Sequence, residues 1–315
     1  MSQFISCDWG TSSFRLRLID TETQNVVTEF VSQQGIAATY AMWQKSSSDR
    51  FLFYESVLSS GIQELYTRSG HTLSEVPIII SGMASSAIGM MELEYARLPL
   101  RSDGSDLIVH VTEPSGRFKH RMIIVSGVKC ENDVMRGEET IIAGCEIKNT
   151  DEEELFILPG THSKHITIRN CMITDVKTYM TGELFYLLAT KSTLANSLKN
   201  ENFSTAIINS SFVLGVEEAI TKNLLHGIFR VRTNRLLDKL SPNENYHYLS
   251  GLLIGTELKD LSHKKYAAIT LVTDQKFSPL YLSALRVLKL DKNFHQINEA
   301  KALVKGQCII YSHSK

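Results

Sequence analysis

The sequence carries no excess of charge of either sign. Its 33 lysines and arginines nearly balance its 34 aspartates and glutamates, which leaves a formal net charge of −1. Proteins that bind a nucleic-acid backbone or an anionic membrane usually show a basic patch or stripe. We therefore expect small-molecule partners, and neither a nucleic acid nor a membrane.

Cysteine is scarce, and long apolar runs are absent. The five cysteines are odd in number and never form a C-x-x-C pair, which argues against a disulfide framework or a zinc site and predicts a cytoplasmic location. No run approaches the roughly 20 apolar residues that a membrane helix needs. The first residues also lack the basic and then apolar pattern of a signal peptide.

Two nucleotide-binding fingerprints are missing as well. A P-loop needs G-x-x-x-x-G-K followed by Ser or Thr, and none of the 18 glycines precedes a lysine. The dinucleotide pattern G-x-G-x-x-G does not occur either, which excludes the simplest oxidoreductase. A phosphate group would have to be held by another kind of loop.

The sequence does contain a tight turn between two strands near its start, in DWGTSSFRLRLID (8–20). The apolar run 4–7 and the alternating run 14–19 predict a β-hairpin. Its turn consists of Gly10, Thr11, Ser12 and Ser13, small residues whose backbone N–H groups can converge on an anion such as phosphate. An ordinary hairpin turn rich in turn formers is the alternative.

A second copy of this pattern lies half a chain away, in LFILPGTHSKHITI (155–168). When Gly10 is placed on Gly160, Thr11 aligns with Thr161 and Ser13 with Ser163. Internal similarity of this kind reports architecture. It predicts two related halves, each with one phosphate-binding hairpin.

The length of 315 residues also favours two domains, which we place at 1–150 and 151–315, with the acidic segment 149–154 as a surface linker. Alternating strands and helices predict an α/β fold in both. Further helices at 181–195, 204–224, 226–239 and 244–259 predict a helical insertion in the second domain. We also expect a helix over 133–147 and a final strand near 307–311.

Six motifs, in order along nearly the whole chain, carry a family resemblance. They are DWGTSSFR (8–15), SGM (81–83), DVMRGEET (133–140), LPGTHSKH (158–165), MTGELF (180–185) and YLSGLLIGTEL (248–258). The two hairpins resemble those of the actin, sugar-kinase and heat-shock-chaperone ATPase superfamily. The six motifs together resemble the 2-dehydro-3-deoxygalactonokinase family.

The resemblance implies two ribonuclease-H-like domains with a central cleft. The N-terminal domain would bind the sugar acid and the C-terminal domain the nucleotide. The implied reaction is the ATP-dependent phosphorylation of 2-dehydro-3-deoxy-D-galactonate at its terminal hydroxyl to give the 6-phosphate, in galactonate catabolism. ATP and Mg²⁺ are the implied cofactors, and a homodimer is left open.

Phosphoryl transfer needs positioning of the reactants and neutralisation of charge. Asp8, at the end of the first strand, is expected to hold Mg²⁺ directly or through water, with residues 10–13 facing the β- and γ-phosphates. From the other domain, the phosphates are expected to contact Gly160, Thr161, His162, Ser163 and Lys164. A solvated surface position is the alternative for Lys164. Arg15 is expected near the transferring phosphate or the substrate carboxylate.

Asp133 is expected to open a helix and to act as the catalytic base, in an Asn132-Asp133 pair of the kind that many sugar kinases have. An N-cap is its alternative role. Arg136, one turn later, would bind the sugar-acid carboxylate through its planar fork. Glu138 or Glu139 is an alternative base or Mg²⁺ ligand.

The remaining expectations concern the walls of the two binding sites. Ser81, Gly82 and Met83 end a buried strand and are expected to line the sugar pocket. The helix start at 181–183 favours an anion, and Gly251 with Gly255 indicates close helix packing. Thr273 and Asp274 stand where the superfamily commonly has a glycine-rich turn over adenine.

Two rival functions stay open at this point. The first is a kinase for a different sugar acid, and the second is a non-catalytic ATP-dependent binding protein of the same fold.

Overall fold

The structure, a computed structural model, describes residues 3–70, 73, 75–199, 210–275 and 277–314. The chain forms two compact units, Met1–Asn149 with Asn170–Val176 and Ala300–Lys315, and Thr150–Arg169 with Lys177–Glu299. Residues 170–176 and 300–315 therefore group with the first unit, although we expected them in the second domain.

The elements of the first unit are mostly strands. They are β1 (Gln3–Trp9), β2 (Phe14–Asp20), β3 (Val26–Ser32), α1 (Ile36–Trp43), α2 (Arg50–Ser69), β4 (Ile78–Gly82), β5 (Ala96–Arg97), β6 (Leu100–Arg101), β7 (Val109–Thr112), β8 (Met122–Val125), β9 (Val128–Lys129), β10 (Val134–Met135) and α3 (Glu138–Ala143).

The later elements are mostly helical. They are β11 (Glu154–Leu158), β12 (Ser163–Arg169), β13 (Met172–Tyr179), α4 (Thr181–Thr190), α5 (Ser210–Thr221), α6 (Leu224–Leu236), α7 (Pro242–Leu258), β14 (Ala268–Thr273), α8 (Ser278–Val287), β15 (Phe294–Asn298) and α9 (Glu299–His313). The first six residues of the predicted helix 204–224 lie outside the described residues.

The main sheet of the first unit has the strand order β3-β2-β1-β4-β8-β7. β1, β4 and β8 run parallel, whereas β2, β3 and β7 are antiparallel to their neighbours. The register places Asp8 opposite Ser81 and Trp9 opposite Gly82. The ends of β1 and β4 thus meet at one edge of the sheet, where ligands gather in open α/β folds.

The second unit repeats the central part of this arrangement. β11 pairs antiparallel with β12 and parallel with β14, and β14 pairs parallel with β15. In both units, therefore, the first strand of the hairpin has a parallel neighbour on its other side. The α/β class predicted from the sequence is confirmed.

Apolar side chains at the expected periods hold each unit together. In the first unit, α2 packs on the hairpin through one buried cluster that includes Trp9, Phe14 and Tyr54. In the second unit, Gly251 and Gly255 let α7 approach α5. A Cβ added at Gly251 would lie 2.0 Å from the carbonyl oxygen of Phe212, so the expected packing role of these glycines is confirmed.

The helix predicted over 133–147 is wrong at both ends, because the observed helix spans only Glu138–Ala143. Val134 and Met135 form strand β10, and the helix begins only at Glu138. Gly137 has a φ of 109°, a left-handed value that no α-helical residue adopts. The apolar spacing around it had suggested one continuous helix.

The final strand predicted near 307–311 is also wrong, because these residues belong to helix α9. The apolar run CII (308–310) suggested a strand. The preceding residues follow the helical period instead, since Ala302, Leu303 and Gly306 are buried along one face. Helix α1 and strand β15 were not predicted. Among the residues the structure describes, no helix is long and apolar enough to cross a membrane.

The contact between α3 and α9 yields a prediction about stability. A Cβ added at Gly144 would lie 1.8 Å from the carbonyl oxygen of Ala302, a backbone atom that cannot rotate away. We expect Gly144→Ala to lower the free energy of unfolding by about 1–3 kcal/mol, the usual cost of overpacking. Gly116→Ala is the control, since no atom lies within 4 Å of its added Cβ. Urea unfolding measures both, and equal midpoints would contradict the packing argument.

Candidate active site

The turn between β1 and β2 leaves several backbone N–H groups without partners. The N–H of Gly10 donates to the carbonyl of Ser13 at 2.9 Å, and the carbonyls of Gly10 and Thr11 accept from the first residues of α1. The N–H groups of residues 11–13 make no hydrogen bond to the described part of the chain. Such a row of donors suits an anion.

Gly35, which the sequence reading did not single out, permits this geometry. A Cβ added at Gly35 would lie 2.5 Å from the backbone of Ser12 and Ser13. The close approach of α1 to the turn is therefore possible only for glycine. The signal for this contact in the sequence was a glycine directly before the residues that form helix α1.

Asp8, at the end of β1, belongs to a ladder of charges across three strands. Its Oδ2 accepts from Arg15 at 3.0 Å, and Glu29 lies 2.8 Å from Arg17 and 3.6 Å from Arg15. Burial raises the pKa of Asp8, while attraction to Arg15 and Arg17 works in the opposite direction. The Oδ1 atom of Asp8 makes no hydrogen bond within the described residues.

The residues of the turn after β4 are engaged in contacts with other parts of the first unit. Ser81 is buried, and its hydroxyl accepts from Gln307 on α9 at 2.8 Å. Gly82 has a φ of 89°, and a Cβ there would lie 2.8 Å from the carbonyl oxygen of Trp9. Met83 is partly buried and packs against the apolar core of the first unit.

The segment after β10 approaches the same edge of the first unit. A Cβ added at Gly137 would lie 3.3 Å from the Cα atom of Gly82. The guanidinium of Arg136 donates to the carbonyl and hydroxyl oxygens of Ser85, both at 2.6 Å, and stacks 4.2 Å over the ring of Tyr95. Its buried Nε makes no hydrogen bond within the described residues, so one N–H donor lacks an acceptor.

Two neighbouring carboxylates behave differently in this segment. Glu139 is buried, and both of its oxygens accept from the N–H of Gly137 at 2.8 Å. Burial, followed by repulsion from Glu138, raises the pKa of Glu139 to about 7. Glu138 is only partly buried and accepts from the N–H of Arg136 at 2.9 Å.

Asp133 does not open a helix, contrary to the sequence prediction. It precedes strand β10, and its Oδ1 accepts from the next backbone N–H, that of Val134, at 2.7 Å. The N-cap alternative is therefore wrong as well. Its side chain is partly exposed, so an acceptor hydroxyl can reach it.

The turn between β11 and β12 repeats the pattern of unpartnered donors. The N–H groups of Gly160, Thr161 and His162 make no hydrogen bond to the described part of the chain. Helix α4 closes on this turn, because a Cβ at Gly182 would lie 2.3 Å from the carbonyl oxygen of Gly160. The exposed ring of His162 pairs with Glu183 at 2.5 Å.

The next two residues of this motif are buried. The hydroxyl of Ser163 is fully buried and donates to Glu257 at 2.7 Å, so its side chain is not available to phosphate, contrary to the prediction. Lys164 is buried and donates to the carbonyl of His162 at 3.2 Å. The surface alternative for Lys164 is therefore wrong.

A cavity of about 560 Å³ adjoins the second turn. Its walls come from the turn itself and from α4, α7 and α8, and aromatic and aliphatic side chains dominate them. The lining includes Gly160, Thr161, Thr181, Phe185, Tyr186, Tyr246, Leu253, Ile254, Phe277, Leu280 and Tyr281.

Neither Thr273 nor Asp274 lines this cavity. Thr273 is buried, and the carboxylate of Asp274 accepts from the N–H of Phe277 at 3.3 Å. These two residues were expected to cover the base, and their positions outside the cavity lining do not support that expectation. Helix α7, which contains the motif YLSGLLIGTEL, supplies part of the cavity wall instead.

Comparison with known proteins shows what the chain resembles. The 2-dehydro-3-deoxygalactonokinase of Escherichia coli (strain K12) is 29% identical over 226 residues, covering 69% of this chain and 73% of that protein. A crystal structure from Sinorhizobium meliloti, assigned as a 2-dehydro-3-deoxygalactonokinase protein, matches with a TM-score of 0.81 and 25% identity over 99% of this chain and 95% of that one.

A more distant structure shares the fold alone. Component A of the (R)-2-hydroxyglutaryl-CoA dehydratase of Acidaminococcus fermentans matches over the whole of both chains with a TM-score of 0.51 and 10% identity.

A family model described as 2-keto-3-deoxy-galactonokinase matches residues 8–310. The resemblance read from the six motifs is thus confirmed, and the chain belongs to the 2-keto-3-deoxy-galactonokinase family.

Proposed function

We propose that this chain transfers a phosphoryl group from ATP to the terminal hydroxyl of 2-dehydro-3-deoxy-D-galactonate, giving the 6-phosphate in galactonate catabolism. The observation that carries the proposal is the family match over residues 8–310. The two turns with unpartnered N–H groups support it, because a phosphate donor needs such sites. The free and scattered cysteines suit a reaction in the cytoplasm.

We assign the sugar acid to the first unit and the nucleotide to the second. The two units then correspond to two ribonuclease-H-like domains, and helices α5–α7 are the insertion in the second. The apolar, aromatic-walled cavity supports this division, since such cavities suit a nucleobase. The first unit contributes charged side chains, the Asp8–Arg15 pair on its hairpin and Arg136 after β10, which suit an anionic sugar acid and its phosphate donor.

Phosphate is held mainly by backbone in this proposal. Residues 11–13 and 160–162 offer N–H groups, and the hydroxyls of Thr11 and Ser12 are exposed beside the first of these turns. Lys164 adds positive charge beneath the second turn rather than a direct contact, because its side chain is buried.

Asp8 fits a magnesium ligand. Mg²⁺ is commonly bound by one or two carboxylates together with phosphate oxygens and water, and the Oδ1 atom of Asp8 makes no hydrogen bond to the residues that the structure describes. No group of three or more His, Cys, Asp and Glu side chains converges in the described ranges. The ion would therefore rely on substrate oxygens, and it would neutralise charge on the transferring phosphate.

Asp133 is our choice of catalytic base, in preference to Glu139. Glu139 has a pKa close to neutrality, which suits a base, but its oxygens are buried against the N–H of Gly137. The acceptor hydroxyl must reach within hydrogen-bonding distance of the base. Asp133 is accessible and Glu139 is not.

Arg136 is assigned to the substrate carboxylate. Its Nε–H is a buried donor without an acceptor, which is a costly arrangement that a bound carboxylate oxygen would relieve. Arg15 is already engaged with Asp8 and Glu29. Its proposed role is to orient Asp8 beside the substrate.

The function is tested with purified protein, ATP and a panel of sugar acids in an assay coupled to ADP release. We expect turnover with 2-dehydro-3-deoxy-D-galactonate to exceed that with every other sugar acid, and to require Mg²⁺. A preference for another sugar acid would change the substrate assignment. No ADP release with any of them would overturn the kinase proposal.

The base assignment predicts a selective loss in Asp133→Asn. The amide keeps an oxygen for the N–H of Val134 but cannot accept a proton, so kcat should fall roughly 10²- to 10⁴-fold while ATP affinity stays near that of the wild type. Glu138→Gln is the matched variant, a nearby carboxylate with an expected kcat within a few-fold of normal. Steady-state kinetics decide, and the opposite ranking would move the base to Glu138.

Glu139 should instead govern stability as a function of pH. Its pKa rises from 4.5 to about 7 on folding, so the folded chain holds a proton that the unfolded chain has released. The stability from this group is complete below about pH 4.5 and is lost as pH rises to 7, by on the order of 3 kcal/mol. Glu139→Gln should remove this fall.

Urea unfolding at pH 5, 6, 7 and 8 measures the effect. Glu146→Gln is the control, since this side chain is 90% exposed and its loss should leave the pH profile unchanged. Parallel profiles for the wild type and Glu139→Gln would show that Glu139 does not titrate in this range.

A further inference from the structure

One buried carboxylate of the second unit gathers donors from three other elements. Glu257, on α7, has a side chain that is only 1% exposed. Its Oε1 accepts from the hydroxyl of Ser163 at 2.7 Å and lies 3.0 Å from Nε2 of His165. Its Oε2 accepts from the hydroxyls of Thr181 at 2.5 Å and Tyr281 at 2.9 Å. The sequence reading quoted the motif that contains Glu257 but gave this residue no role.

These partners surround the cavity beside the second turn. Ser163 and His165 begin β12, directly after the turn, whereas Thr181 begins α4 and Tyr281 lies on α8. Thr181 and Tyr281 both line the cavity. A single carboxylate thus fixes the turn and two of the cavity walls with respect to each other.

The direction of these hydrogen bonds limits what the cavity can bind. A hydroxyl has one proton and two lone pairs. Thr181 and Tyr281 each donate that proton to Glu257, so towards a ligand their oxygens can only accept. Burial and the neighbouring Glu257 raise the pKa of Tyr281 well above its ordinary value, which keeps the phenol protonated and donating.

Phosphate oxygens are acceptors and gain nothing from such hydroxyls. The ribose hydroxyls and the amino group of a nucleoside are donors and match them. The unpartnered N–H groups of the neighbouring turn have the opposite polarity and match phosphate. The hydroxyls that α4 and α8 contribute to the cavity wall therefore differ in hydrogen-bond polarity from the turn, which forms another part of the same wall.

We propose that Glu257 is a positioning residue that makes the hydroxyls of Thr181 and Tyr281 acceptors in the α4 and α8 walls of the cavity, so that these walls take the nucleoside part of the nucleotide and leave its phosphates to the turn. The inference rests on the proposed function for the presence of a nucleotide. It adds a residue and a direction of hydrogen bonding to that proposal.

The second unit offers a matched control. Glu218 is another buried carboxylate, and it accepts from the hydroxyl of Tyr248 at 2.7 Å and pairs with Arg230. Neither Glu218 nor Tyr248 lines the cavity. Removal of either carboxylate should destabilise the unit, but only Glu257 should affect nucleotide binding.

The experiment compares Glu257→Gln with Glu218→Gln, with ADP as the probe. In Glu257→Gln, the amide NH2 group replaces a carboxylate oxygen that accepts hydrogen bonds. At least one neighbouring hydroxyl that now donates to Glu257 would have to accept from this NH2 group instead. We expect the dissociation constant of ADP by calorimetry, and the KM for ATP, to rise at least tenfold in Glu257→Gln. Both should stay within twofold in Glu218→Gln, and the KM for the sugar acid should stay within twofold in both variants.

Tyr281→Phe and Tyr248→Phe provide a second pair if Glu257→Gln does not fold. Loss of the Tyr281 hydroxyl removes one acceptor from the cavity, so ADP binding should weaken at least threefold, and Tyr248→Phe should bind as the wild type does. Equal effects within each pair would reduce Glu257 to a structural role and overturn the inference.

The binding measurement separates this inference from the proposed function. A wild type that binds ADP but phosphorylates no sugar acid would refute the kinase proposal and leave the Glu257 comparison valid. A wild type with normal kinase activity and unchanged ADP binding in Glu257→Gln would refute this inference alone. No ADP binding by the wild type would refute it as well.

Discussion

The reversal of the chain after β1, and again after β11, is the constraint on which the proposed site depends. In the described part of the chain, each turn leaves consecutive N–H groups without acceptors, and backbone donors are rarely left unmatched unless water or a ligand meets them. The surrounding structure maintains this arrangement by close backbone contacts. Gly35 admits α1 to the first turn, and Gly182 admits α4 to the second. The anion sites are thus built from backbone and glycine, and the hydroxyl side chains are secondary to them.

The local parts of this arrangement could be predicted from sequence, and the distant contacts could not. Both hairpins follow from alternating apolar residues around a short turn, and their repetition at half a chain identified the two turns as a pair. The interruption before α3 could not be foreseen, because it depends on Gly137 meeting Gly82 across more than fifty residues of chain. The helical state of residues 307–311 likewise depends on tertiary contacts, such as those of Gln307 with β1 and Ser81.

Several residues that looked chemical in sequence serve the scaffold. The hydroxyls of Ser81 and Ser163 stand in motifs beside expected ligands, yet each is buried and hydrogen-bonded to a residue far along the chain. A sequence motif records that a residue is required, but not which way its side chain points. In a strand, neighbouring residues face opposite sides, so a motif at the end of a strand necessarily mixes residues that face a ligand with residues that face the core.

The buried glutamates show how one residue type is used in different ways at one site. Glu139 is buried beside Glu138, and the N–H of Gly137 and the charge of Arg136 only partly offset these effects, so its pKa rises and the proton is retained near neutrality. Glu257 is surrounded by hydroxyl and imidazole groups from three other elements. The first arrangement couples stability to pH, and the second couples the direction of several hydrogen bonds to one carboxylate. Because each hydroxyl proton can be donated only once, the hydrogen bonds made in the interior determine which atoms the surface of the cavity can offer to a ligand.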